Sequence, residues 1–219
     1  MDGQTVLVTG AKGGLGAHIT RLFLEKGAFV AGSSRSIADG DFSSANFAGF
    51  PADLLDCGQA GRLADAVVER RGGIDALVHV TGGFAGGAVH ETDEATWDQM
   101  MNVNLRAAFH AFRAVIPHMR KAGRGRIVAI GSKAAVETAA GIAAYAASKA
   151  ALVSLVRSAA LENKDSGITA NAILPGTIDT AGNNPEWVSP ARIAALAWFL
   201  ISDAGSEISG AALPMYGGV

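Results

Sequence analysis

The first two dozen residues narrow the fold more than any other part of the chain. Thr5 to Thr9 (TVLVT) is a short apolar run, and Gly10 to Gly16 (GAKGGLG) is a glycine loop. Leu15, Ile19, Leu22 and Phe23 then recur on one face of a helix. Strand, glycine loop and helix in that order bring bare backbone N–H groups to a pyrophosphate at the positive end of the helix. Glycines alone would fit an ordinary tight turn. The strand before them and the helix after make the loop a dinucleotide cradle, expected to be formed by Gly10, Lys12, Gly13, Gly14, Leu15 and Gly16.

The alternation continues to the C-terminus. Ala28–Gly32, Phe47–Pro51, Ala76–Val80, Arg126–Ile130, Ile168–Leu174 and Ala211–Met215 read as strands. Between them, Leu54–Arg71, Asp93 to about Lys121, Tyr145–Glu162 and Ala191–Ile201 read as helices. Pro117 is predicted to bend or break the second of these, and Ser189–Pro190 supplies a start signal for the last. Strands alternating with helices predict an α/β fold, a parallel sheet with helices on both faces. With 219 residues, 49% hydrophobic and 17% charged, the chain has enough apolar side chain for one well-buried domain over residues 1–219 and no signature of disorder.

Charge and cysteine usage exclude several functions. A net charge of -2 without a Lys/Arg run argues against a nucleic-acid partner. The single cysteine, Cys57, rules out an intrachain disulfide, and the five histidines are scattered, so no metal site is expected. No apolar run is long enough to span a membrane, and the chain enters its first strand without a signal-peptide pattern; a cytoplasmic protein is the expectation.

The residues beyond the second strand would meet the adenosine ribose. An acid there would accept from the ribose 2'-hydroxyl, but the chain carries Ser33, Ser34 and Arg35. Serine followed by a guanidinium matches a 2'-phosphate, so NADP(H) is the preferred cofactor, with NAD(H) as the alternative. Asp53, past the third strand, can accept from the adenine amine or cap a helix, with Leu54 beside it. Val80, Thr81 and Gly82, where the chain turns out of the fourth strand, complete that wall.

The chemistry concentrates between Ser132 and Lys149 (SKAAVETAAGIAAYAASK). Residues four apart on a helix share a face, which places the ammonium of Lys149 near the phenol of Tyr145. A fixed positive charge is expected to lower the pKa of that phenol towards the working range. Ser132, at a strand end, can donate to the same reacting oxygen. The set suits protonation of a carbonyl as hydride arrives, or the reverse for an alcohol. Tyr-x-x-x-Lys alone is a weak signal, since an exposed tyrosine with a solvated lysine has the same spacing; the dinucleotide cradle gives it weight.

Taken together these motifs resemble the short-chain dehydrogenases/reductases over nearly the whole chain. Thr9, Gly10, Gly14 and Gly16 match the family's Thr-Gly-x-x-x-Gly-x-Gly; Asn104, Ser132, Tyr145 and Lys149 match its catalytic tetrad in order and spacing; Pro175, Gly176 and Thr180 match its nicotinamide loop. The resemblance implies a single Rossmann-type, doubly wound domain with Tyr145 as general acid/base and Ser132 holding the carbonyl oxygen. It implies that Lys149 binds the nicotinamide ribose while tuning Tyr145, that Asn104 supports a water in the proton relay, and that Pro175, Ile178 and Thr180 hold the nicotinamide. It also implies pairing of helices across a two-fold axis, giving a homo-oligomer, dimer or tetramer.

Three departures stand out. His79-Val80-Thr81-Gly82 replaces the family's Asn-Asn-Ala-Gly, so an imidazole stands where an amide ties neighbouring strands together. Lys12 lies one place before the basic residue of many NADPH members, which leaves Arg35 to carry the 2'-phosphate. Between Thr180 and Ser189 only AGNNPEWV remains where members usually insert a longer substrate lid. An open pocket lined by Gly83 to Val89, Lys133 to Ile142 and the loop near Trp187 is therefore expected, suited to small activated ketones, quinones or dicarbonyls. Lys133 is weighed as a contact for anionic substrates. The leading expectation is an NADPH-dependent oxidoreductase acting on a small carbonyl or alcohol. A 3-oxoacyl-thioester (acyl carrier protein) reductase and a non-catalytic NADP(H)-sensing protein are the alternatives.

Overall fold

A computed structural model describes residues 3–218. Seven parallel strands form one sheet in the order β3-β2-β1-β4-β5-β6-β7. In chain order they are β1 (Thr5–Thr9), β2 (Phe29–Ser34), β3 (Phe47–Pro51), β4 (Ala76–His79), β5 (Gly125–Ile130), β6 (Ile168–Pro175) and β7 (Ala212–Met215). Six α-helices connect them: α1 (Gly14–Glu25), α2 (Cys57–Arg71), α3 (Glu94–Met101), α4 (Ala107–Ala122), α5 (Ala143–Glu162) and α6 (Pro190–Ile201). This is the Rossmann-type doubly wound sheet.

The strands read as unbroken apolar runs because both faces are buried. Alternate side chains feed two cores. Leu7, Leu77, Ile127 and Ala129 point to the side covered by α2, α4 and α5. Val6, Val8, Val78, Val128 and Ile130 point to the side covered by α1 and α6. Side chains such as Leu77 and Ile127 are fully buried, each worth about 1.5–3 kcal/mol relative to exposure. The strand order reverses between β1 and β4, and the loops at the carboxyl ends of those two strands open the crevice in which such sheets bind ligands.

Three local expectations are corrected. The long helix after Asp93 is interrupted at a π-helical turn, Asn102–Arg106, while α4 runs straight through Pro117. The proline's lost hydrogen bond is outweighed by burial of Phe112, Val115 and Met119 on the same helix. At α2 the N-cap is Asp56, which accepts from Gly58 N and Gln59 N, so Asp53 does not cap the helix. β2 runs two residues further than Gly32, which puts Ser33 and Ser34 on the strand itself. The β6 and α6 assignments hold, with Pro190 at the first position of α6 after Ser189.

Candidate active site

The glycine loop bends where β1 meets β4. Gly10 has φ +67, and a Cβ there would sit 3.0 Å from Thr81 N, so neither the backbone nor the neighbouring chain tolerates a side chain. Behind it, Thr9 Oγ1 accepts from Val80 N at 3.2 Å and lies 3.0 Å from His79 Nδ1. Burial, helped by the charge of Lys149, holds the His79 imidazole down at about 3. His79 is thus a neutral strut tying β4 to β1, the place the family gives to an amide.

At the adenosine end, Ser34 Oγ and Ser33 Oγ are buried without a protein partner, next to an exposed Arg35. Lys12 is not free. Its Nζ pairs with Asp41 at 2.8 Å and donates to Ser36 O at 3.2 Å. Asp53 Oδ1 accepts from Leu55 N at 3.0 Å, and Leu54 turns its side chain into the core while its carbonyl lies 2.8 Å from His110 Nδ1.

At the other end of the cleft the strand end of β5 delivers Ser132 and the first turn of α5 delivers Tyr145. The Ser132 hydroxyl hydrogen-bonds the phenol and favours its ionised form, but burial dominates and pushes Tyr145 up from the ordinary tyrosine value. This reverses the expected direction. Lys149 shares the helical face, yet its Nζ donates to Ile130 O at 2.9 Å and stands 6.0 Å from the centre of the Tyr145 ring. Burial without a counter-ion drops the lysine itself to about 8.

Asn104 sits on the π-helical turn, a common location for functional residues. Its Nδ2 donates to Gly83 O (3.0 Å) and Ser148 Oγ (3.0 Å), while its Oδ1 accepts from Gly83 N (2.9 Å). Ser148 Oγ donates onward to Tyr145 O at 2.7 Å. Both amide hydrogens are spent on protein partners, and the oxygen has one of its two acceptor sites taken. Its visible work is to fix the Gly83 turn against α5. Sequence reasoning passed over Ser148, a small polar residue in an alanine-rich helix, and held Phe84 only as part of the Gly83 to Val89 pocket wall; its ring lies 5.0 Å from that of Tyr145. The signal for Phe84 was available: an aromatic residue in a glycine-rich loop, directly after a strand that ends at the cleft.

One cleft of about 980 Å³ brings together Gly10, Gly13 to Gly16, Ser34, Arg35, Asp53, Leu54, Val80 to Gly82, Tyr145, Lys149 and Ile178. Lys12, Asn104, Ser132, Pro175, Gly176 and Thr180 do not line it. Pro175 is buried at the end of β6, Gly176 packs on the Tyr216 carbonyl, and the Thr180 methyl stands 3.1 Å from where a Gly14 Cβ would be. Thr180 instead borders a neighbouring cleft of about 1640 Å³ between residues 179–192 and 214–218. Lys133 is paired with Glu137 at 3.2 Å and lies over the Tyr216 ring, so its ammonium is not offered to an anionic substrate. Among the described residues no group of three His, Cys, Asp or Glu side chains converges on a metal position, and no helix is long and apolar enough to cross a membrane.

A family model described as short chain dehydrogenase matches residues 4–189. The chain belongs to the short-chain dehydrogenases. A 2,3-dihydro-2,3-dihydroxybenzoate dehydrogenase of Escherichia coli is 34% identical over 86% of this chain and 75% of its own length. A 2,5-dichloro-2,5-cyclohexadiene-1,4-diol dehydrogenase, LinX, of Sphingobium indicum is 33% identical over 100% of this chain and 96% of its own. The 3-oxoacyl-[acyl-carrier-protein] reductase FabG of Vibrio cholerae is 30% identical over 100% and 98%. The crystal structure of gox2181 superimposes with a TM-score of 0.90 at 25% identity, covering 100% of this chain and 96% of that one. This short-chain dehydrogenase is accordingly an oxidoreductase of small molecules, in a family that uses NAD(P)(H).

Proposed function

We propose that the protein is an NADPH-dependent reductase of small carbonyl compounds, with Tyr145 as the proton donor. The observation that carries this reading is the placement of Tyr145 and Lys149 on the wall of the glycine-loop cleft, with Ser132 directly after Ile130 and Gly131, which also line it. The cradle fits a dinucleotide: Gly10, Gly13, Gly14 and Gly16 line the cleft without side chains, and the buried Ser34 Oγ, beside Arg35 on the same cleft, has no protein partner. When bound, NADPH supplies the hydride. Gly10 and Gly13 to Gly16 hold the pyrophosphate, Asp53 and Val80 to Gly82 the adenosine side, Lys149 the nicotinamide ribose, and Ile178 the nicotinamide.

Ser132 orients the carbonyl oxygen by donating to it, and the Tyr145 hydroxyl gives it a proton. Burial is compatible with this direction of reaction: a phenol whose pKa is pushed up keeps its proton at neutral pH, which reduction requires, whereas oxidation needs phenolate and gains as pH rises. NADPH oxidation followed against a panel of small ketones and dicarbonyls tests the reading; no turnover of any of them would leave only a binding role. The names of the E. coli and Sphingobium relatives point to ring diols and that of FabG to an acyl thioester. The short loop from Thr177 to Val188, closed by the pairing of Ile178 with Val188, favours the small substrates over a long acyl chain.

NADPH is favoured through Arg35, since Lys12 is neutralised by Asp41. Replacing Arg35 by Ala is expected to weaken NADPH binding about ten- to a hundred-fold, as for loss of a charged hydrogen bond, and to spare NADH. Titration of both nucleotides measures it, and equal affinities in the parent would refute the preference. The reading includes a cytoplasmic homo-oligomer, a dimer or a homotetramer, formed on α4 and α5, where Phe109 (44%) and Leu161 (72%) are exposed. Light scattering at micromolar concentration is expected to give a multiple of the chain mass; a monomer would refute it.

A further inference from the structure

We propose that Phe84 is the substrate platform of this site and selects planar, unsaturated ring carbonyls, or the ring alcohols they yield, over open-chain ones. The inference rests on the reductase reading above and adds the substrate class.

Phe84 is 66% exposed, yet it is not on a loose loop. Upstream, Asn104 grips Gly83 at both its N–H and its carbonyl, and Val103 leaves no room for a side chain at Gly83. Downstream, Gly87 N donates to Gly141 O at 2.7 Å and Gly87 O accepts from Ala143 N at 3.2 Å, pinning the loop to the start of α5. Between these clamps the Phe84 ring meets the Tyr145 ring edge to face, centroids 5.0 Å apart and planes at 72°. Both rings border the same cleft as Lys149. A large apolar ring held in a fixed pose beside the proton donor, with most of its surface uncovered, is a ready-made surface for a flat ligand.

Geometry fixes what the ligand must be. A carbonyl oxygen within reach of the Tyr145 and Ser132 hydroxyls puts the rest of its molecule within stacking distance of Phe84. A planar ring covers that surface, whereas a short acyclic dione cannot reach across it. Lys133, tied to Glu137, adds no demand for a negative charge. The ring also keeps water off Tyr145, in line with burial as the main cause of its raised pKa.

The test compares 9,10-phenanthrenequinone with 2,3-butanedione in NADPH-oxidation kinetics, using the parent, Phe84→Ala and Phe84→Tyr. Phe84→Ala is expected to raise KM for the quinone about ten-fold or more, the scale of a lost aromatic contact plus its buried area, and to lower the ratio of kcat/KM for the quinone to that for butanedione by a similar factor. Phe84→Tyr is expected to restore the quinone KM. Equal changes for the two substrates, or no change for either, would overturn the platform while leaving the reductase reading standing. A parent that reduces neither dione would remove the reductase reading and the platform with it. A parental Tm and NADPH affinity in Phe84→Ala show that the variant is folded.

Discussion

Tyr145→Phe is expected to lower kcat by about a hundred- to ten-thousand-fold, the contribution of a positioned general acid, with NADPH affinity and Tm close to those of the parent. The ring would still pack against Phe84, because that contact involves the ring and not the hydroxyl. What disappears is the transferable proton and the partner of the Ser132 hydroxyl. Lys149→Ala should differ in kind. Its Nζ is buried against Ile130 O, so truncation strips a cation from the cofactor end and weakens both NADPH binding and turnover. The sign with pH follows from burial. Lys149 is held down at about 8, so the part of NADPH affinity that depends on its ammonium is fully present below that pH and fades as pH rises through it. Affinity titrations should slope in the parent and flatten in Lys149→Ala. Near-parental turnover by Tyr145→Phe would sink the catalytic assignment.

Gly16→Ala is expected to damage folding and cofactor binding together. A Cβ at Gly16 would overlap the carbonyl oxygen of Gly10 and come within 3.0 Å of Ala11 Cα. Both obstacles are backbone, so no side chain can move aside; α1 must shift away from the loop that cradles the pyrophosphate. Overpacking of this kind costs about 1–3 kcal/mol, which for a chain of this size lowers Tm by about 2–12 °C. The displaced N–H groups should weaken NADPH about ten-fold or more, equivalent to one charge-assisted hydrogen bond. Gly61→Ala provides the control. A Cβ there meets nothing within 4 Å inside α2, and alanine in a helix interior is worth about 0.5–1 kcal/mol over glycine. Parental Tm and affinity in Gly16→Ala would contradict the close approach of α1 to the loop.

The order of elements, the glycine cradle and the set of Ser132, Tyr145 and Lys149 were legible in the sequence, because each is a local pattern. Apolar runs of four to eight residues mark buried strands, positions three and four apart mark a helical face, and glycines mark close backbone approach. The same reasoning misplaced whatever depended on a partner distant in sequence. Lys149 does lie one helical turn from Tyr145, but Ile130 O at the end of β5 claims its amine, and the surrounding core then sets the phenol's acidity in the opposite direction to the one spacing suggests. Lys12 reads as a phosphate contact until Asp41, brought over by the turn after β2, neutralises it. Asn104 reads only as a relay residue, while its hold on Gly83 and Ser148 comes from the π-helical turn. Phe84 was one residue of an expected pocket wall until Asn104 and residues 141–143 fixed its backbone beside Tyr145. Local periodicity is written in neighbouring residues and is set by backbone geometry alone. Charge, acidity and the pose of an exposed ring are set by whichever groups the folded chain packs within a few ångströms, and only the tertiary structure decides which those are.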